Sequence, residues 1–285
     1  MYNLNQTIYH VYKSCKYVVT LIPLENDYLF KKLGINSILM DNPSTFNYDL
    51  VIPSDLSQKN IIMIGRGDDP SKRFDLGIKA MKNIIIEIPE CKMAIISVFN
   101  KNLEKLIKNL HLRHNIKITG FQKNPELYLK NASLHIFPSL SESYSMVLGE
   151  VKMFGIPTII CGLDYLALAK GGTIIIYYDN PDTIAKEEIK ILKDDKYRKK
   201  LGKEARKSMK KHQNKLIIKK WIKLLLSVYN GIGKSLFEKL FRRYNKKVTE
   251  YEANIILNNQ LNLLKNKNPR FKDLTLEKLK NYSFD

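Results

Sequence analysis

At 285 residues the chain is long enough for one large domain or two ordinary ones, and its 44% hydrophobic content is enough to bury a real core. No run approaches the roughly 20 apolar residues of a membrane span. Met1 to Thr20 lacks the charged-then-apolar layout of a secretory leader, so a soluble, cytoplasmic chain is expected. The 48 basic and 28 acidic residues, a formal net charge of +20, direct attention to anionic partners.

Residues 6–40 read as helix, strand, helix and strand, with Tyr9–Tyr12, Tyr17–Leu21 and Asp27–Gly34 as the clearest pieces. About 40 residues cannot sustain a separate core, so this piece is expected to dock on a larger body. Asp41 to Leu56 holds Pro43, Pro53 and several Asn, Asp and Ser residues, and reads as an interdomain linker. From residue 60 to 178, short β-rich runs alternate with helical patterns. The expected strands are Asn60–Gly65, Lys92–Phe99, Ile116–Phe121, Ser133–Pro138, Ile156–Cys161 and Thr173–Tyr177. Between them Leu76, Ala80, Ile84 and Ile88 recur every four residues, and Leu103, Leu106, Ile107 and Leu110 mark a second helix face. Pro125–Asn131 and the stretch holding Val147, Val151 and Phe154 supply two more helices. This alternation with continuous apolar strands implies a parallel sheet covered on both faces. Asp182–Leu192, Lys196–Lys211 and Leu216–Val228 then read as consecutive helices, followed by a basic tail over 232–285.

The charge is not spread evenly. Lys186 to Lys223 alone carries 16 basic and 5 acidic residues, which suits either a solvated helical surface or an anionic surface such as lipid headgroups. Nucleic acid is disfavoured, since these basic residues are not interleaved with stacking aromatics. Cys15, Cys91 and Cys161 are far apart and expected to be small buried hydrophobes; no Cys/His pair has metal-site spacing.

Two segments carry candidate chemistry. Gly65-Arg66-Gly67-Asp68-Asp69-Pro70-Ser71-Lys72 sits where the first main strand ends and a helix begins. A Gly-rich turn there brings backbone N–H groups and a helix N-terminus toward an anion, and Arg66 and Lys72 add two cations. Taken alone, a charged surface loop fits equally well. Pro138 to Glu150 follows the fourth strand and runs into a helix, with Glu142 in the loop and Glu150 two turns into the helix. The N–H groups of Tyr144 to Val147 fall at the helix start, and two carboxylates eight residues apart can reach one ligand from different elements. A helix-start Glu and a second, solvated Glu account for the same pattern.

The chain from about Tyr9 to Gly231 resembles the family-4 retaining glycosyltransferases of the GT-B fold. The resemblance rests on Gly65-Arg66 with Lys72, Phe74 to Ala80, Ile118-Thr119-Gly120-Phe121, Tyr128, Ala132, Pro138-Ser139, Glu142 with Glu150, and Gly155-Ile156-Pro157-Thr158-Ile159, in order over some 100 residues. It implies that Arg66 and Lys72 hold the donor diphosphate and that Glu150 binds the ribose. Glu142 would face the donor sugar and stabilise charge in the transition state. The backbone of Ser143, Tyr144, Ser145, Met146 and Val147 would contact sugar and phosphate, and Gly120 and Phe121 would flank the base. It implies a UDP-linked hexose donor, no metal or other cofactor, and retention of anomeric configuration.

Two departures stand out. Ser145 follows Tyr144 where the family commonly has Gly. The family's N-terminal domain, which carries the acceptor site, is represented only by residues 1–55, read as its remnant with the linker; 56–231 is then the nucleotide-sugar-binding domain and 232–285 a basic helical tail. The expected function is that of the donor half of a hexosyltransferase, acting on a glycan or lipid-linked acceptor, peripheral on an anionic membrane, with a possible acceptor-side protein chain. The alternative is a non-catalytic nucleotide-sugar-binding subunit partnering such a chain.

Overall fold

A computed structural model describes residues 9–31 and 33–229. The basic helical tail expected over 232–285 lies outside the described residues. The chain divides into two compact units, one formed by the residues up to Asp41 together with those from Lys220, the other by Asn42–Lys219. The larger unit begins at Asn42, so residues 42–55, read as a linker, belong to it.

In the smaller unit residues 9–14 are helical and lead to β1 (Val18–Thr20), α1 (Pro23–Lys31) and β2 (Ser37–Leu39), the order the sequence suggests. The two strands pair in parallel with Val18 opposite Ser37. Ile38 and Met40 pack with Leu224, and the Trp221 indole N–H donates to the Asp41 carbonyl at 3.0 Å.

The larger unit holds six parallel strands: β3 (Asn60–Ile64), β4 (Lys92–Ile96), β5 (Ile116–Ile118), β6 (Leu134–Phe137), β7 (Thr158–Cys161) and β8 (Thr173–Ile176). Every expected strand is present, and β4 and β5 stop three residues early. Their spatial order is β5-β4-β3-β6-β7-β8. The connecting helices are α2 (Phe74–Glu87), α3 (Lys101–Asn109), α4 (Glu126–Lys130) and α5 (Met146–Met153). After β8 come α6 (Pro181–Lys193), α7 (Asp195–Ser208) and α8 (Asn214–Tyr229).

Alternation along β3 explains the two covered faces. Ile61 and Met63 point into one cluster with Ile78, Met81 and Ile84 of α2 and with Ile184 and Ile191 of α6. Ile62 points the other way, toward Leu129, Val151, Phe154 and Leu56. Each fully buried Ile or Met contributes about 1.5–3 kcal/mol by transfer from water. Gly77 lets α2 lie close on the sheet: a Cβ there would meet the Met63 sulfur at 2.5 Å.

Basic side chains from α7 bind the segment 42–56 to this unit. Arg198 is fully buried and donates to the carbonyls of Leu56, Ile191 and Leu192 and to Asp195. Arg206 donates to the carbonyls of Tyr48 and Val51 and lies over the Tyr48 ring at 4.5 Å. Part of the basic run 186–223 is therefore interior structure, not a solvated or lipid-facing surface. Cys91 and Cys161 are buried as expected, where burial pushes both thiols up to about 12. Cys15 is exposed, against expectation, just after the helical residues 9–14. Among the described residues no helix is long and apolar enough to cross a membrane.

Candidate active site

The chain runs outward from β3 to β4 and β5, then returns to place β6 on the other side of β3. This reversal makes the carboxyl ends of β3 and β6 the switch point of the sheet, where the two exit loops diverge and leave a crevice. A cleft of about 330 Å³ lies there. Ile64, Gly65 and Arg66 enter it from the end of β3, Ser97 and Val98 from β4, Phe121 and Gln122 from β5, and Phe137, Glu142, Ser145, Met146 and Val147 from β6 and the start of α5.

The loop after β3 is shaped by Asp69. Its carboxylate accepts from the Ser71 N–H at 2.9 Å and the Ser71 hydroxyl at 2.6 Å, and from Arg66 at 2.7 Å. The Ser71 hydrogen bonds, with the charges of Arg66 and Lys72 behind them, hold the Asp69 carboxyl below its usual range. Gly67 packs against Ser97 so closely that a Cβ would meet the Ser97 Oγ at 2.2 Å. Asn100 donates to the Gly67 carbonyl at 2.7 Å while its own Oδ1 caps α3. Arg73 turns away from the cleft. It has φ 48°, donates to the Pro138 carbonyl at 2.6 Å and pairs with Asp179, tying together the ends of β3, β6 and β8.

The loop after β6 brings Glu142 to the cleft, where it pairs with Lys72; both side chains are largely buried, with 14% and 17% exposed. The helix α5 starts at Met146, with the Ser145 hydroxyl accepting from the Leu148 N–H at 3.2 Å. Ser145 has φ 61°, a left-handed conformation that disfavours a Cβ. Here the serine adopts the backbone that glycine takes without strain, and its cap hydrogen bond offsets part of the penalty. The first-turn N–H groups of Met146 and Val147 cannot bond within the helix, and both residues line the cleft.

Of the candidate residues, Arg66, Lys72, Phe121, Glu142, Ser145, Met146 and Val147 meet in one cleft. Gly120 shapes the turn before Phe121 with φ 78° and does not itself line it. Ser143 is exposed and Tyr144 buried, both outside the lining. Glu150 also lies outside the lining; burial raises its carboxyl above the usual range, opposed by hydrogen bonds from the Thr45 hydroxyl and N–H.

Sequence reading missed Ser97, Val98 and Gln122. The first two were counted into a strand that ends at Ile96, and Gln122 enters because its side chain donates to the Thr119 carbonyl at 2.9 Å and folds the turn. Among the described residues no three His, Cys, Asp or Glu side chains gather as a metal-holding group.

The fold, a parallel sheet flanked by helices, is that of GT-B glycosyltransferases. Over 80% of this chain and 62% of the other, the fold matches sucrose-phosphate synthase from Thermosynechococcus elongatus, with TM-score 0.66 and 18% identity. Over 80% of this chain and 48% of the other, it matches the pneumococcal O-GlcNAc transferase GtfA in complex with UDP and GlcNAc, with TM-score 0.67 and 18% identity. Anabaena HepE in complex with UDP and glucose matches at TM-score 0.65 and 14% identity, over 78% of this chain and 67% of that one.

The sequence itself matches the family described as glycosyl transferases group 1 over residues 49–208, more than half of the chain, and the chain belongs to that family. An uncharacterized glycosyltransferase of Methanocaldococcus jannaschii is 30% identical over 100 residues, 34% of this chain and 24% of the relative. The chain therefore spans about a quarter of that relative's length.

Proposed function

We propose that the chain is the donor-binding part of a family-4 type hexosyltransferase that uses a nucleoside diphosphate sugar, UDP-linked, with retention of configuration and without a metal. The observation that carries this reading is the meeting of Arg66, Lys72, the α5 N-terminus and Glu142 at the switch-point cleft. Two cations and a helix start suit a diphosphate. A carboxylate held beside them suits the positive charge that develops at an anomeric carbon. Phe121 and Val98, both exposed and both lining the cleft, offer apolar surface for the base.

In this reading Lys72 exchanges Glu142 for phosphate when donor binds, which frees the Glu142 carboxylate for the sugar. The backbone of Ser143 to Val147 contacts phosphate and sugar, and Gly120 and Phe121 flank the base. Glu150 takes the ribose hydroxyls in place of Thr45. UDP in the neighbouring GtfA and HepE structures supports the choice of nucleotide. The residues up to Asp41 act as part of an acceptor-side domain, whose glycan or lipid-linked acceptor lies against an anionic membrane.

Calorimetric titration with UDP and GDP, alongside Glu150→Ala and Arg66→Ala, tests this function. Saturable UDP binding that weakens by about 1–3 kcal/mol in each variant, the scale of a charged hydrogen bond, is expected. Wild-type protein that binds neither nucleotide would remove the reading.

A further inference from the structure

The loop that carries Glu142 is held from outside the cleft by a residue that none of the motifs includes. The Tyr165 hydroxyl brackets the Glu142 peptide: the Glu142 N–H donates to it at 3.2 Å, and it donates to the Glu142 carbonyl at 3.0 Å. A phenol used as both donor and acceptor on one residue fixes that residue's backbone in two directions, because neither bond survives a rotation of the flanking peptides. The bracket engages only the Glu142 backbone, while its carboxylate pairs with Lys72 at the cleft.

Tyr165 is itself anchored. It lies in the loop after β7, half-buried, with its hydroxyl pushed up by burial. Three and five residues on, the buried Lys152 of α5 donates to the Leu168 carbonyl and, at 2.6 Å, to the Lys170 carbonyl, fastening that loop to the helix that follows Glu142. Beside it Tyr177 donates to Asp164 at 3.3 Å, tying the same loop to the end of β8. The chain of contacts runs from the core, through Lys152 and the 163–170 loop, to Tyr165 and then to Glu142. Besides its ion pair with Lys72, the Glu142 carboxylate is in this way placed through its backbone as well, as suits a residue facing a developing charge.

We infer that Tyr165 is a positioning residue for Glu142, setting how the donor sugar, though not the nucleotide, is held. The inference rests on the donor-site reading above. Tyr165→Phe keeps the ring and removes only the hydroxyl, so folding is not at stake. Two measurements decide the matter on the full chain: amide hydrogen exchange at Glu142, which needs no ligand, and calorimetric affinities for UDP and for UDP-glucose and UDP-GlcNAc.

The expected result is exchange at the Glu142 amide at least tenfold faster, UDP affinity within twofold of wild type, and an affinity at least fivefold weaker for the tighter-binding UDP-sugar. Unchanged exchange, or faster exchange with the UDP-sugar affinity unchanged, overturns the positioning role. Equal weakening toward UDP and UDP-sugar also overturns it, since the residue then supports the whole cleft. Loss of all UDP binding in the wild-type protein defeats the donor-site reading instead, and the ligand-free exchange result identifies which of the two has failed.

Discussion

Lys72 and Glu142 form an ion pair that joins the loop after β3 to the loop after β6 across the cleft. With both side chains largely buried, removing either one leaves the other charge partly desolvated and unpaired. Lys72→Ala and Glu142→Ala should each lower stability in urea unfolding by about 1–3 kcal/mol. The double variant should lose less than the sum. With saturating UDP the coupling should shrink, because phosphate takes the place of Glu142 on Lys72. On the proposed function, Glu142→Ala also abolishes transfer or donor hydrolysis while UDP affinity falls little; near-normal turnover would contradict the assigned role.

Ser145 combines a left-handed backbone with a helix cap. Replacing a capping Ser by Gly loses only a few tenths of a kcal/mol, whereas a Cβ in this conformation costs about 1–2 kcal/mol. Ser145→Gly should therefore raise the urea midpoint, and Ser145→Ala, which keeps the strain and loses the cap, should lower stability by about 1 kcal/mol. A lower midpoint for the Gly variant would show that the loop gains more from the serine than its cap.

Glu188 of α6 is fully buried, and neither carboxylate oxygen has a hydrogen-bond partner among the described residues. Burial raises its carboxyl well above the usual range, so the folded chain holds a proton that the unfolded chain releases near 4.5. Its contribution to stability is fully present below that value and is lost as pH rises toward the folded value. Glu188→Met, similar in volume and apolar, should be more stable than wild type at neutral pH. Urea unfolding at several pH values should also show a shallower decline in the variant.

Lys152 works in the opposite direction. Burial, with the Lys211 charge as a lesser cause, brings its ammonium down from 10.5 to about 7. Between these values the unfolded chain binds the proton and the folded chain does not, so stability rises with pH from about 7 toward 10.5. Thermal unfolding across that window should show the rise in wild type and a flatter profile in Lys152→Met, which also releases the Leu168 and Lys170 carbonyls.

By itself the sequence determined the alternation of strands and helices, the two loops that carry charge, and Glu142 with Lys72 as candidates for one site. Apolar periodicity and Gly-rich strand ends are local signals, and they survive folding because a parallel sheet buries both faces of each strand. Only the tertiary structure decided which residues meet. The β3–β6 switch point is a property of strand order, which no local pattern encodes, and it brings Glu142 to Lys72 across 70 positions. Tyr165 carried no motif, and its importance appears only where its hydroxyl reaches the Glu142 peptide. Arg198 and Arg206 read as surface charge until their guanidinium groups are found on backbone carbonyls, because composition counts charges and folding decides which of them are enclosed.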